Sequence, residues 1–131
     1  MSYPPDAKFD KLHRRIKNGD LLELHREVDG GLDPNLQNRF GWTLLMLAAL
    51  EGNTKIGTFL IDRGASVTML NNFGDSALSL AAHEGHIPFL KLLKSHGASG
   101  DIRPHGHDLE SWLRSASGLP KDKIDAIMEI V

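Results

Sequence analysis

Gly41-Trp42-Thr43-Leu44-Leu45-Met46-Leu47-Ala48-Ala49-Leu50-Glu51-Gly52-Asn53 and Gly74-Asp75-Ser76-Ala77-Leu78-Ser79-Leu80-Ala81-Ala82-His83-Glu84-Gly85-His86 are two copies of one pattern set 33 residues apart. The interval runs beyond them in both directions. Gly19, Gly52, Gly85 and Gly118 keep it, as do Gly31, Gly64 and Gly97, and Leu12, Leu45 and Leu78. Asn38-Arg39-Phe40-Gly41 returns as Asn71-Asn72-Phe73-Gly74. A fixed period of this length is the mark of a repeat architecture.

Each unit holds two short apolar stretches with helical spacing, one glycine ladder between them and the other at the end. In the second unit Thr43 caps a helix with its hydroxyl, Leu45, Ala48 and Ala49 form a narrow apolar face, and Gly52 closes the helix in the left-handed conformation. Asn53 caps a second helix, in which Ile56, Phe59 and Leu60 share one face before Gly64. The third unit follows the same plan, with Ser76 as cap, Leu78, Ala81 and Ala82 as face, Gly85 as stop, and Phe89, Leu90, Leu92 and Leu93 before Gly97. Pro88 fits a first helical turn, where no amide bond is lost. A pair of such short helices cannot hide its apolar face alone, whereas stacked pairs share one core. The fold expected is an all-α solenoid of helix-turn-helix-loop units.

These residues resemble ankyrin repeats. The resemblance is fullest over 41–106, degenerate over 8–40 and reduced over 107–131. One domain is expected, with an N-terminal capping repeat at 8–40, repeats at 41–73 and 74–106, and C-terminal capping helices at 107–131. Where the family pattern reads Thr-Pro-Leu-His, this chain has Leu44 and Ala77 in place of Pro, and Met46 and Ser79 in place of His. The resemblance therefore implies a reduced polar network in these turns. One side-chain hydrogen bond is worth about 1 kcal/mol net, so two losses weaken a domain of roughly 5–15 kcal/mol without contradicting its fold.

The resemblance also implies where a partner binds: on the hairpin fingertips and the exposed face of each first helix. By motif the fingertips are Arg39, Phe40 and Trp42 in one loop and Asn72, Phe73 and Asp75 in the next, and the helix faces carry Met46, Leu50 and Glu51, then Ser79, His83 and Glu84. Trp42 is the first candidate, because exposed Trp, Phe and Arg most often carry binding energy. A purely structural role competes for Phe40 and Phe73, which could stack on each other or on the loop base. Asp75 could brace its turn, and Leu50 could lie under the neighbouring first helix.

The ends read as caps. Phe9, Leu12 and Ile16 form an apolar stripe ringed by Lys8, Lys11, Arg14, Arg15 and Lys17. Asp20 with Glu23 resembles a capping box opening a second helix, in which Leu21, Leu24 and Val28 point inward and which Gly30-Gly31 stops. At the other end Leu109, Trp112 and Leu113 suggest a short helix, and Ile124, Ile127, Met128 and Val131 a final one after Pro120.

Composition bounds the chemistry. The 131 residues suffice for one core that buries roughly two thirds of the unfolded surface. Fifteen basic and 17 acidic residues leave a formal net charge of −2, which disfavours nucleic acid as main partner. Cysteine is absent, so there is no disulfide, thiolate site or cysteine nucleophile. Neither the opening Met1-Ser2-Tyr3-Pro4-Pro5-Asp6 nor any apolar run suggests a targeting or membrane segment, and a soluble cytoplasmic protein is expected. No Gly-x-Ser-x-Gly elbow, phosphate loop, dinucleotide fingerprint or His-Glu-x-x-His pair occurs.

The function expected is non-enzymatic binding of a protein or peptide, without cofactor, by a monomer. Three alternatives compete. A histidine-dependent metal protein or hydrolase would use His83, His86, His96, His105 and His107, where His105-Gly106-His107 could present two imidazoles on one side of an extended segment. A nucleic-acid or membrane-surface binder would use the five positive charges between Lys8 and Lys17. A self-associating structural protein would dimerise.

Overall fold

The computed structural model describes residues 4–131; the opening Met1-Ser2-Tyr3 lies outside the described residues. Eight α-helices follow one another as four antiparallel pairs: α1 (Pro4–Lys17) with α2 (Leu21–Asp29), α3 (Leu44–Glu51) with α4 (Thr54–Asp62), α5 (Ala77–Glu84) with α6 (Ile87–Ser95), and α7 (Leu109–Ala116) with α8 (Lys121–Ile130). First helices pack on first helices, in the order α1, α3, α5, α7, and second helices form the other layer as α2, α4, α6, α8. The molecule is therefore a two-layer all-α stack, consistent with an ankyrin repeat array.

Local chemistry explains each pair. The Thr43 hydroxyl accepts from the Met46 amide at 3.2 Å, the Ser76 hydroxyl from the Ser79 amide at 3.2 Å, and Asn53 Oδ1 from the Ile56 amide at 3.1 Å. Each satisfies an amide that a helix start would leave without a partner. Asp20 caps α2 in the same way, accepting from the Glu23 amide at 3.1 Å. Between the two helices of every pair stands a glycine with φ from 68° to 75°: Gly19, Gly52, Gly85 and Gly118. The last of these shows that the C-terminal pair turns like the others, although its sequence has drifted furthest.

Ala48, Ala49, Ala81 and Ala82 are fully buried where α3 meets α5, and Ile56, Leu60, Phe89, Leu90 and Leu93 fill the space toward the second layer. Gly57 makes room for a large neighbour, since a Cβ there would lie 2.7 Å from the Phe89 ring. The ends close the stack as expected, with Phe9, Leu12 and Ile16 of α1, Leu24 and Val28 of α2, and Leu109, Trp112, Leu113, Ile124 and Ile127 of α7 and α8 all buried. Two of the five basic groups on α1 are already held within the molecule, Lys8 by Glu27 at 3.2 Å and Arg15 by Asp20 at 3.5 Å.

Polar links join pair to pair. His86 Nε2 lies 2.9 Å from the Leu50 carbonyl oxygen, which can only accept, so that nitrogen carries the proton. The Asn35 side chain donates to the Gly64 carbonyl at 3.0 Å and accepts from the Ser66 amide at 2.7 Å. The missing family histidines are partly compensated on the spot: the Thr43 amide meets the Met46 sulfur at 3.4 Å, and the Ser76 amide donates to the Ser79 hydroxyl at 2.9 Å.

The hairpin fingers are bonded in series. The Asn72 amide donates to the Phe40 carbonyl at 2.9 Å, and the His105 amide to the Phe73 carbonyl at 2.8 Å. Gly41 permits that approach, because φ is 83° there and an added Cβ would lie 2.9 Å from the Asn71 Cα. Gly64 also has positive φ, 98°, but no atom stands within 4 Å of its Cβ position. Gly64→Ala is therefore expected to lose about 1–2 kcal/mol of stability from backbone strain. Gly41→Ala is expected to lose at least about 1 kcal/mol more from the crowded fingers. Urea unfolding of the two variants checks this, and equal losses would refute the finger-contact account.

An exposed ionic clamp holds the last pair. Arg114 of α7 donates to Glu110 at 2.7 Å and to Asp125 of α8 at 2.8 Å. The hydrogen bond from Arg114 holds the Asp125 carboxyl below the ordinary aspartate range. A group depressed in the folded state contributes stability above its unfolded pKa, and that contribution is lost as pH falls through the folded value. The clamp is thus present at neutral pH and weakens in acid, below about pH 4. Arg114→Ala is expected to move the Asp125 titration upward and shift acid unfolding to higher pH, read by carboxyl-carbon NMR and circular dichroism.

Candidate partner-binding groove

The fingers and the first helices enclose two adjoining hollows. One, of about 360 Å³, is lined by Trp42, Leu50, Phe73, Asp75, Leu80, His83, Glu84, His105 and Trp112. The other, of about 270 Å³, is lined by Phe9, Asp10, His13, Asn38, Phe40, Trp42, Leu47 and Leu50. Trp42 and Leu50 belong to both, so the hollows form one groove with these two side chains at its middle.

The fingertips owe their shape to two asparagines. Asn38 Oδ1 accepts from the amides of Phe40 and Trp42, both at 3.0 Å, and Asn71 Oδ1 from those of Phe73 at 2.9 Å and Asp75 at 3.0 Å. The loop is thereby tightened so that the aromatic side chain projects, leaving Phe40 46% and Phe73 48% exposed. The two phenylalanines do not stack on each other: the Arg39 guanidinium sits 5.0 Å from the Phe40 ring centroid, while Phe73 pairs with His105 at 6.0 Å. Asn72 is exposed and ties the fingers together, donating to the Arg39 carbonyl at 3.2 Å.

Three expected contact residues do not face solvent. Met46, Asp75 and Ser79 are 1%, 3% and 0% exposed. The reason is local: the Met46 sulfur and Ser79 hydroxyl turn back to bond the amides opening α3 and α5, and Ser79 also donates to Asp75 Oδ1 at 3.2 Å. Asp75 lines the hollow as part of its wall and braces the turn. Of the other expected residues, Trp42, Leu50 and His83 are half-buried and lie in the groove, Glu84 is exposed at its edge, and Glu51 is exposed beside Leu50.

The far wall joins Asp75 and His83, both expected contact residues, to His105 and Trp112, which were not expected as contacts. His105 Nε2 lies 3.2 Å from Asp75 Oδ2, and its ring sits between Phe73 and Trp112, whose centroids are 6.0 and 5.4 Å away. His83 also meets Trp112, with ring centroids 4.9 Å apart, and donates from Nε2 to the Ala116 carbonyl at 3.1 Å. The segment around His105 is a turn at Pro104–Gly106, with His105 at φ 54°, so His105 and His107 do not lie along one extended face. Among the described residues no group of three or more His, Cys, Asp or Glu is arranged to hold a metal ion, and no helix is long and apolar enough to cross a membrane. The repeat held a signal for His105, which stands 33 residues after Asn72 and 66 after Arg39. The Phe-Gly pair that marks the other fingers is missing after it.

Comparison with known proteins agrees with this architecture. A family model of ankyrin repeats in three copies matches residues 12–103. Over 65 residues the chain is 34% identical to mouse (Mus musculus) "Ankyrin repeat, SAM and basic leucine zipper domain-containing protein 1", a match covering 50% of this chain and 14% of that protein. The protein of the same name from Neofelis nebulosa is 34% identical over 62 residues, covering 47% of this chain and 13% of its own length. The likeness to these relatives is thus confined to about one seventh of their length. With the family pattern spanning most of its helix pairs and the geometry repeating in all four, this chain belongs to the ankyrin repeat family.

Proposed function

We propose that this chain is a non-enzymatic interaction module that holds a protein or peptide partner in the groove centred on Trp42 and Leu50, with Phe40 and Phe73 as fingertip contacts. Ankyrin repeats are in general protein–protein interaction modules. One observation carries the reading: two large aromatic side chains project into solvent on fingers braced by asparagine turns and backbone bonds, and beside them Trp42 and Leu50 connect both hollows. Burying exposed aromatic area on a partner is favourable, and a braced loop loses little entropy when it does so.

Two histidines of the groove, and His86 outside it, have structural partners. His83 supports the end of α7, His86 the end of α3, and His105 the carboxylate of Asp75. This favours binding over a histidine-held metal. The intramolecular pairing of Lys8 and Arg15 likewise favours a solvated cap over a phosphate-binding face. The module acts as a monomer without cofactor.

Affinity capture from a lysate of the source organism, with the intact chain and a Trp42→Ala/Phe73→Ala variant in parallel, tests this. Thermal unfolding first establishes that the variant is folded. A specific protein is expected to bind the parent and to lose at least roughly tenfold in affinity on the variant, the scale of two truncated aromatic anchors. Equal retention would place binding on another face.

A further inference from the structure

We infer that the groove takes a partner segment in which apolar side chains adjoin lysine or arginine. This rests on the groove being the binding surface and adds the chemical class of its occupant. The chain has 15 Lys and Arg residues, yet none of them lines either hollow among the described residues. The lining carboxylates are Asp10, Glu84 and the internally bonded Asp75, set among Phe, Trp, Leu and His side chains.

The helix ends add to this field. Glu51 and Glu84 are the last residues of α3 and α5, at the ends where the helix dipole is negative. A carboxylate at that position opposes the helix dipole, a cost that a nearby cation reduces: Lys123 of α8 stands at the end of α5, its Nζ 3.2 Å from the Cβ position of Gly85, and the His86 ring stands at the end of α3. At the corresponding end of α2, Asp29 is met by Arg63 at 3.0 Å. Neither Glu51 nor Glu84 has a Lys or Arg within ion-pair distance among the described residues, and the Glu84 carboxylate reaches only the His83 imidazole at 3.4 Å. Both are exposed, and they fall 33 residues apart on helices that pack side by side. An apolar side chain seated between Trp42, Leu50, Leu80 and Trp112 therefore has exposed carboxylates at the groove edge nearby, and a flanking cation is the group that complements them. A partner segment bearing Asp or Glu would meet like charge at the same places.

Selection of a display library of random nonapeptides on the intact chain tests this. Enriched peptides are then measured by fluorescence anisotropy on the parent, on Glu51→Gln/Glu84→Gln and on Phe73→Ala, each checked by thermal unfolding. Enrichment of Lys or Arg next to Leu, Ile, Phe or Trp is expected, with roughly tenfold weaker binding to the double Gln variant and weakening by added salt. Peptides that lose affinity with Phe73→Ala but are acidic or uncharged, or that ignore the Gln variant, overturn the inference and leave the groove standing. Peptides indifferent to Phe73→Ala, or no enrichment, overturn the groove as well.

Discussion

A pair of short helices, eight to ten residues each after the 14-residue α1, leaves one broad apolar face that no turn of its own chain can cover, and everything else in this molecule depends on neighbouring pairs covering it. Alanines 48, 49, 81 and 82 let α3 and α5 come close, while the larger side chains of α4 and α6 keep the second layer filled. No pair has a core of its own, so the stability of each is tied to its neighbours through nearest-neighbour contacts. The polar links follow the same direction, from His86 back to Leu50 and from Ser66 back to Asn35.

Stacking also creates the groove. Because the first helices are short and lined with small residues, the loops before them project past the helical layer, and the backbone bonds from Asn72 to Phe40 and from His105 to Phe73 keep three fingers in line. The aromatic tips are therefore presented on a rigid edge. Trp42 and Leu50 sit at the centre since both contribute to the meeting of two hollows, one bounded by α1 and the other by α7. The terminal pairs close the core and at the same time supply the outer walls, with Phe9 and His13 on one side and Trp112 on the other.

Much of this was legible in the residues themselves. The period of 33, the caps at Thr43, Asn53 and Ser76, the glycine stops and the final helix after Pro120 depend on groups within a few positions of one another, and the structure has them as expected. The fingertip residues Phe40 and Phe73 were legible through their register. The inward turn of Met46 and Ser79 was missed although it too is local, a bond from each side chain to the amide three residues before it.

The wall formed by Asp75, His105, Trp112 and His83 brings together residues up to 37 positions apart, and no local rule places them. Sequence by itself determined the helices, their ends and the repeat that stacks them, since short-range hydrogen bonds and apolar spacing are set by residue type. Only the tertiary structure decided which polar side chains are buried and which rings meet, because that depends on how each pair rotates against the next, and the rotation is set by the summed packing of the whole core.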